Sequence, residues 1–319
     1  MKCLIIQPIH EEGHALLRAE GIEPVRCPAA DMATVAGLIG DCDAVITRDA
    51  GLSGKAIAAA GRLRAISVHG SGHDAVDKDA ASARGIPVCN MPGANSRSVA
   101  ELALGLALAA ARGIAGGDRA ERAGRTGFRE SASFMELQGK TALIVGWGNI
   151  GRQLAAMLDL ALGMTVLVHS PRAPETGGFE RVATLEEGLA RADLVSLHTP
   201  MRPETRHMMN AARFAAMKPG AILVNTARQG ILDEAALAGA LASGQVAAAG
   251  LDVYEHGAPE GPLAAFPQVI FTPHLGATTE EALIRVARGA AANVVTVLKG
   301  GLPATCVNAG RLGAEAAGA

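Results

Sequence analysis

The run Gly146-Trp147-Gly148-Asn149-Ile150-Gly151 constrains this chain more than any other feature. It follows directly on the apolar segment 142–145 and opens the amphipathic segment 152–160, so it reads as strand, glycine turn and helix. The first glycine permits the tight turn, the second lets a pyrophosphate approach the backbone, and the third lets helix pack on strand. The helix start adds unpaired N–H groups and the positive end of its dipole. A bare glycine pattern is weak evidence. In this context Gly146, Gly148, Asn149, Ile150 and Gly151 read as the phosphate cradle of a dinucleotide site.

The end of the next strand bears on which dinucleotide. A site for NAD usually places Asp or Glu about 20 residues on, to accept from the ribose hydroxyls. Here the sequence is Val168-His169-Ser170-Pro171-Arg172. No carboxylate stands there to repel a 2′-phosphate, and Arg172, with Ser170, can pair with one. NADP is therefore expected over NAD. The plainer alternative leaves Arg172 as a solvated loop cation and a site that takes either cofactor.

At 319 residues the chain has room for two ordinary domains. The first hundred residues alternate apolar runs (2–6, 44–47, 65–68, 86–89) with helix-like stretches such as 11–19 and 55–60, which implies a parallel sheet covered on both faces. A helix is expected at 99–112. The segment 113–133, polar and without clear periodicity, reads as an extended arm. Six further strands follow at 141–145, 165–168, 194–197, 222–225, 247–251 and 269–271, enough for a complete doubly wound sheet. A last helix, about 279–299, comes after that sheet is complete and is placed to return to the first domain.

Composition narrows the function. Aromatic residues are 3 % and the formal net charge is −2, which disfavours base-stacking platforms and basic stripes for nucleic acid. No apolar stretch reaches a bilayer span. The first residues lack the apolar core of a signal peptide. Cys3, Cys27, Cys42, Cys89 and Cys306 show no metal or CxxC spacing, and read as reduced thiols of a cytoplasmic protein. The nine histidines share no metal-ligand pattern, so no metal is expected.

Three polar stretches sit at strand ends, where a doubly wound fold places its ligands. They are Asn225-Thr226-Ala227-Arg228, Leu251-Asp252-Val253-Tyr254 and Thr272-Pro273-His274-Leu275-Gly276. Reduction of a 2-oxo acid needs a cation to bind and polarise the substrate and an acid to protonate the new alkoxide. Arg228 offers a planar fork. His274 has the titration range of a proton donor near neutrality.

At this point the chain resembles the D-isomer-specific 2-hydroxyacid dehydrogenases, which include phosphoglycerate dehydrogenase and the hydroxypyruvate and glyoxylate reductases. The resemblance rests on Gly70-Ser71-Gly72-His73-Asp74, Arg84-Gly85-Ile86-Pro87-Val88, the stretch 95–101 and Glu136-Leu137-Gln138-Gly139-Lys140. It continues through the glycine motif, Leu197-His198-Thr199-Pro200, the three strand-end stretches and Ala277. It implies that Arg228 binds and orients the substrate, that His274 exchanges the proton, and that backbone groups of Gly70, Ser71 and Gly72 hold the substrate carboxylate. Thr199, Pro200, Thr226, Ala227, Asp252 and Gly276 are implied to line the cofactor, with Asp252 near the nicotinamide amide. The resemblance further implies an α/β architecture. A Rossmann domain (99–282) is inserted in a flavodoxin-like substrate domain (1–98 and 283–319), and two chains form a homodimer through the inserted domain.

One departure stands out. Relatives of this kind usually carry a glutamate five residues after the aspartate that corresponds to Asp252 of the Leu251–Tyr254 stretch, as partner of the catalytic histidine. Here that place is Gly257. Either Glu255 or Glu260 swings in, or His274 works without a carboxylate to hold its proton. The expectation is a reductase favoured at mildly acidic pH and slower than its relatives. Hydroxypyruvate and glyoxylate are the expected substrates. Phosphohydroxypyruvate is the alternative, with Arg48 as a candidate phosphate clamp. A reading of another class, a catalytically weak dinucleotide sensor, rests on Gly257 alone.

Overall fold

The computed structural model describes residues 1–131, 133–256 and 260–312. By their contacts these form two compact units, one made of Met1–Asn95 with the residues from Ala277 on, the other of Ser96–Gly276. Both divisions fall a few residues before the positions expected from the sequence.

In the first unit, strands β1 (Lys2–Ile5), β2 (Glu23–Arg26), β3 (Ala44–Thr47), β4 (Ala65–Val68) and β5 (Val88–Cys89) form a parallel sheet in the order β2-β1-β3-β4-β5. This is the flavodoxin-like order. Alternation along the strands sends Leu4, Val45, Ile66 and Val88 to one core and Cys3, Ile5, Ala44, Ile46 and Ala65 to the other. The second core is closed by the helix Glu280–Leu298, which buries Ala290, Ala291, Val294 and Leu298 against it. Their spacing is that of one helical face, and the alanines let the helix lie close to the sheet. Thr279 starts this helix by accepting from the Ala282 N–H at 3.3 Å.

In the second unit, β6 (Thr141–Val145), β7 (Thr165–His169), β8 (Glu180–Arg181), β9 (Leu194–Leu197), β10 (Ala221–Asn225), β11 (Val246–Leu251) and β12 (Val269–Phe271) run parallel in the order β12-β11-β10-β9-β6-β7-β8. The chain turns from one side of β6 to the other on reaching β9, so the topological switch point lies between these two strands. In open α/β sheets ligands bind outside the carboxyl ends there.

Three expectations change: the first sheet gains β2 at its edge, which no apolar run marked, and two further changes fall in the second unit. The sheet gains a seventh strand, β8, two exposed charged residues paired with β7. The arm is helical, with Ile114–Arg122 and Phe128–Ser131. Gly113 breaks the preceding helix Ser96–Arg112 with a left-handed φ of 62°. Asp118 and Arg122 then pair one turn apart at 2.9 Å. Ala120 is the one buried residue of the Ile114–Arg122 helix, so the segment carries no run of large apolar residues to mark it.

Candidate dinucleotide and catalytic site

The three motif glycines are required for different reasons. A methyl group on Gly146, whose φ is +104°, would stand 2.6 Å from the His198 carbonyl oxygen. The glycine turn therefore presses on the end of β9 at the switch point. A methyl group on Gly151 would collide with the Gly146 carbonyl and with Ile144. Packing explains these two. A methyl group on Gly148 meets nothing within 4 Å. The space in front of Gly148 is what an approaching pyrophosphate needs. Gly148 is also the N-cap of the helix Asn149–Leu162 and has no side chain to cap it, which leaves the N–H groups of Asn149, Ile150 and Gly151 to a ligand.

Further along the carboxyl edge, the hydroxyls of Thr199 after β9 and Thr226 after β10 are buried and have no hydrogen-bond partner. Buried polar groups are nearly always satisfied, so these two fit a polar ligand, as the glycine turn does. Pro200 is exposed and Ala227 buried beside them. Around the turn, Arg152 lies 5.7 Å above the Trp147 ring and pairs with Glu175 at 2.9 Å. Trp147 packs edge-on against Phe179 at 5.7 Å. Beyond β7, the Arg172 guanidinium stands 3.7 Å from the Glu204 carboxylate, and both side chains are about two-thirds exposed. Ser170 is half-buried next to it.

The catalytic candidates stand at the ends of β10 and β12, with β11 between them. Asn225, fully buried, fixes the turn after β10: its Oδ1 accepts from the Ala227 N–H and its Nδ2 donates to the Arg228 carbonyl, both at 3.0 Å. The Arg228 backbone is thus held extended, and its Nη1 donates to the Ala227 carbonyl at 2.7 Å. His274 is exposed and has a left-handed φ of 55°. Few residues other than glycine hold that conformation without support.

Asp252 supplies the support. Its carbonyl accepts from the His274 N–H at 3.1 Å. Its Oδ1 accepts from the Thr272 hydroxyl at 2.6 Å and the Leu275 N–H at 2.7 Å, and its Oδ2 from the Gly276 N–H at 2.9 Å. The carboxylate is 2 % exposed, so a three-donor cage holds its charge. A side chain on Gly276 would come within 3.1 Å of Oδ2. The Gly276 carbonyl accepts from Ser98 Oγ at 2.6 Å. Thr272, Ser98 and Asn225 are positioning residues that sequence reasoning did not single out. Thr272 and Asn225 lay inside quoted motifs, whereas nothing in the sequence pointed to Ser98.

Gly257 lies outside the described residues. Glu255, one of its two expected replacements, places its carboxylate 3.7 Å from His207 Nε2, and its N–H donates to the buried Glu234 at 2.6 Å. Glu234 also meets His256 at 3.1 Å. The other, Glu260, is exposed.

In the first unit, the carbonyls of Gly70 and Ser71 already accept, from the Met91 N–H at 2.8 Å and from Asn90 Nδ2 at 2.7 Å. Ser71 Oγ donates to the Met91 carbonyl at 3.0 Å. What this loop offers an anion is therefore its N–H side, including Gly72. The neighbouring His69 is buried, and burial, with the Arg48 charge nearby, pushes its pKa down to about 4. Arg48 itself donates to the Pro8 carbonyl at 3.0 Å. Among the described residues no group of three or more His, Cys, Asp or Glu could hold a metal, and no single helix is long and apolar enough to cross a membrane.

A doubly wound sheet with a glycine turn at its switch point and polar groups on the adjoining strand ends defines a dinucleotide-binding α/β protein. A sequence model described as D-isomer specific 2-hydroxyacid dehydrogenase, NAD binding domain, matches residues 104–276. The chain belongs to the D-isomer specific 2-hydroxyacid dehydrogenase family. It is 38 % identical over 314 residues to a D-3-phosphoglycerate dehydrogenase of Methanocaldococcus jannaschii, covering 97 % of this chain and 59 % of that relative. It is 41 % identical to a hydroxypyruvate reductase of Thermotoga maritima, over 78 % of this chain and 82 % of the relative. The chain spans about half the length of the curated phosphoglycerate dehydrogenases it matches. Among solved structures, an NADPH-dependent glyoxylate/hydroxypyruvate reductase from Sinorhizobium meliloti superposes with a TM-score of 0.82 at 30 % identity, covering 96 % of each chain.

Proposed function

We propose that this chain is an NADPH-preferring reductase of small 2-oxo acids, hydroxypyruvate or glyoxylate first. The observation that carries the reading is that Arg228 and His274 follow the ends of β10 and β12 in one sheet, with the His274 loop held by Asp252. Reduced nicotinamide, when bound, supplies the hydride for the carbonyl carbon. Gly148 and the helix start after it hold the pyrophosphate, and Thr199 and Thr226 give their buried hydroxyls to the same ligand. Arg228 binds the substrate and stabilises the charge growing on its carbonyl oxygen. His274 gives a proton to that oxygen in reduction and takes it back in oxidation. The N–H groups of Ser71 and Gly72 hold the carboxylate. Preference for NADPH rests on Ser170 and Arg172 and on the lack of a carboxylate at the end of β7, with NAD as the other possible cofactor. We further propose a homodimer formed through the Ile114–Arg122 arm. In its favour, Ile114 and Phe134 are exposed there beside a cavity of about 540 Å³ that Phe128, Phe134 and Met135 help to line. A cytoplasmic site fits the five free cysteines.

The likeness to phosphoglycerate dehydrogenases over 97 % of the chain favours phosphohydroxypyruvate as the second reading. Initial rates with hydroxypyruvate, glyoxylate and phosphohydroxypyruvate, each with NADPH and NADH, decide among them. Highest kcat/KM with hydroxypyruvate or glyoxylate and NADPH is expected. Faster turnover of the phosphorylated acid moves the enzyme to the second reading. No turnover of any, together with unquenched Trp147, overturns both.

A further inference from the structure

Cys89 ends β5, beside the segment that supports the Gly70–Gly72 loop. Opposite it runs a strap of the C-terminal residues, where Cys89 and Cys306 form an antiparallel bridge. The bridge is made by the neighbours of the two cysteines: Val307 N–H donates to the Val88 carbonyl at 2.8 Å, and Asn90 N–H to the Thr305 carbonyl at 3.2 Å. Cys89 and Cys306 exchange no backbone bond, so they occupy a non-hydrogen-bonded pair. In such pairs the Cα atoms lie about 4.5 Å apart and the side chains are at their closest. That separation falls inside the window of roughly 4.4–6.8 Å that a disulfide spans. The two thiols are close enough to interact directly.

We infer that Cys89 and Cys306 form a redox-sensitive pair, which a low-molecular-weight disulfide such as oxidised glutathione converts into a staple between β5 and the C-terminal strap. Cys306 is half-buried and Cys89 is 1 % exposed, so the oxidant meets Cys306 first. The Cys306 thiolate attacks the small disulfide, forms a mixed disulfide and releases one small thiol. Cys89 gives up its proton and attacks the Cys306 sulfur, and the second small thiol leaves. One disulfide is reduced to two thiols while two protein thiols are oxidised to one disulfide.

The other cysteines are placed differently. Cys3 and Cys42 are buried in the sheet core and its rim, out of reach of the oxidant. Cys27 lies on the other edge of the sheet and donates to the Ala29 carbonyl at 2.9 Å. The strap is otherwise held by Asn308, which accepts from the Val88 N–H at 2.8 Å and from Cys306 Sγ at 3.2 Å, and donates to Ser82 and to the Ile86 carbonyl, both at 3.0 Å. Next to the staple, Asn90 donates to the Ser71 carbonyl. Oxidation would thus stiffen the support of the loop that the proposed function assigns to the substrate carboxylate. The pairing itself does not depend on that assignment.

The test is to equilibrate the folded protein in buffers of oxidised and reduced glutathione, block the remaining thiols and map the peptides. The expected product has lost two hydrogens, yields one cross-linked peptide pair containing Cys89 and Cys306, and unfolds at a higher temperature until a dithiol is added. Cys306→Ser keeps a donor for Asn308 and should fold as the reduced protein does, with no internal link under the same buffer. Mixed disulfides alone, a link between any other cysteines, or an unmodified Cys89 in the wild-type map overturns the inference. The wild-type map decides even where the variant folds poorly.

Discussion

The carboxylate of Asp252 cages the loop that carries His274, holding the two N–H groups that follow the histidine while its own carbonyl takes the histidine's N–H. A strained left-handed histidine persists because its neighbours over-determine it. Asp252→Ala leaves the half-buried Thr272 hydroxyl, the Leu275 N–H and the buried Gly276 N–H without their acceptor. The buried one alone is worth about 1–3 kcal/mol, so the variant should unfold below the parent temperature. Asp252→Asn keeps the shape but must aim an amide N–H₂ at a donor. It should stay folded and lose about tenfold or more in kcat, while quenching of Trp147 by dinucleotide changes little. Unaltered kcat in a folded Asp252→Asn enzyme would remove Asp252 from the catalytic architecture.

The glycine turn predicts a separation between stability and binding. Gly151→Ala drives a methyl group into the Gly146 carbonyl, so it should cost at least about 1–3 kcal/mol of stability. Gly148→Ala enters open space and should melt with the parent, yet bind dinucleotide about tenfold or more weakly, because the methyl group takes the place of the pyrophosphate. Paired melting curves and Trp147 titrations check this. Equal losses of stability in the two variants would refute the division of roles.

Acid should destabilise both units through one buried and one half-buried histidine. His69 in one and His198 in the other are held neutral, each with its pKa pushed down to about 4, by burial first in both. His198 Nε2 meets Ser196 Oγ at 2.9 Å, and its Nδ1 is shut from water. In the unfolded chain a histidine takes up its proton near pH 6.5. The stability from the neutral folded form is therefore full above that value and is lost as pH falls toward 4. Each group contributes at most about 3 kcal/mol. Unfolding midpoints should be steady above about pH 7 and drop below pH 6, with a shallower fall in His198→Asn. A profile with no fall across that window contradicts this account.

Arg172 and Glu204 set up a competition at the rim of the cofactor site. If Arg172 receives a 2′-phosphate, Arg172→Ala should lower kcat/KM with NADPH about tenfold, the worth of one charge-assisted bond, and leave the NADH rate nearly unchanged. Glu204→Gln removes the rival partner at 3.7 Å and should tighten NADPH. Parallel losses with both cofactors would return Arg172 to the solvated surface.

Much of this was legible before the fold was in view. β6, β9 and β12 begin and end where the apolar runs 141–145, 194–197 and 269–271 do, because buried parallel strands leave unbroken apolar runs between turn residues. β2 and β8 left no such mark. Glu23 to Arg26 pair on one side only and are partly exposed, and β8 is an exposed Glu-Arg step on an edge. The same contrast runs through the site. The glycine turn is local and could be read from its spacing. The hold of Asp252 on the loop after β12, and of Ser98 on Gly276, joins segments that only folding brings together. Glu255 shows the limit most clearly: its position in the motif suggested a histidine partner, and its carboxylate faces His207.

The helix Glu280–Leu298 and the strap through Asn308 complete a sheet whose five strands all lie within the first ninety residues. Domains fold as units as they leave the ribosome. Here the unit whose strands are made first must wait, with one face of its sheet uncovered, until the inserted unit has been synthesised and the closing helix emerges. The middle of the chain is finished before its beginning, and the interval between them is when β1, β3 and β4 most need protection from other chains.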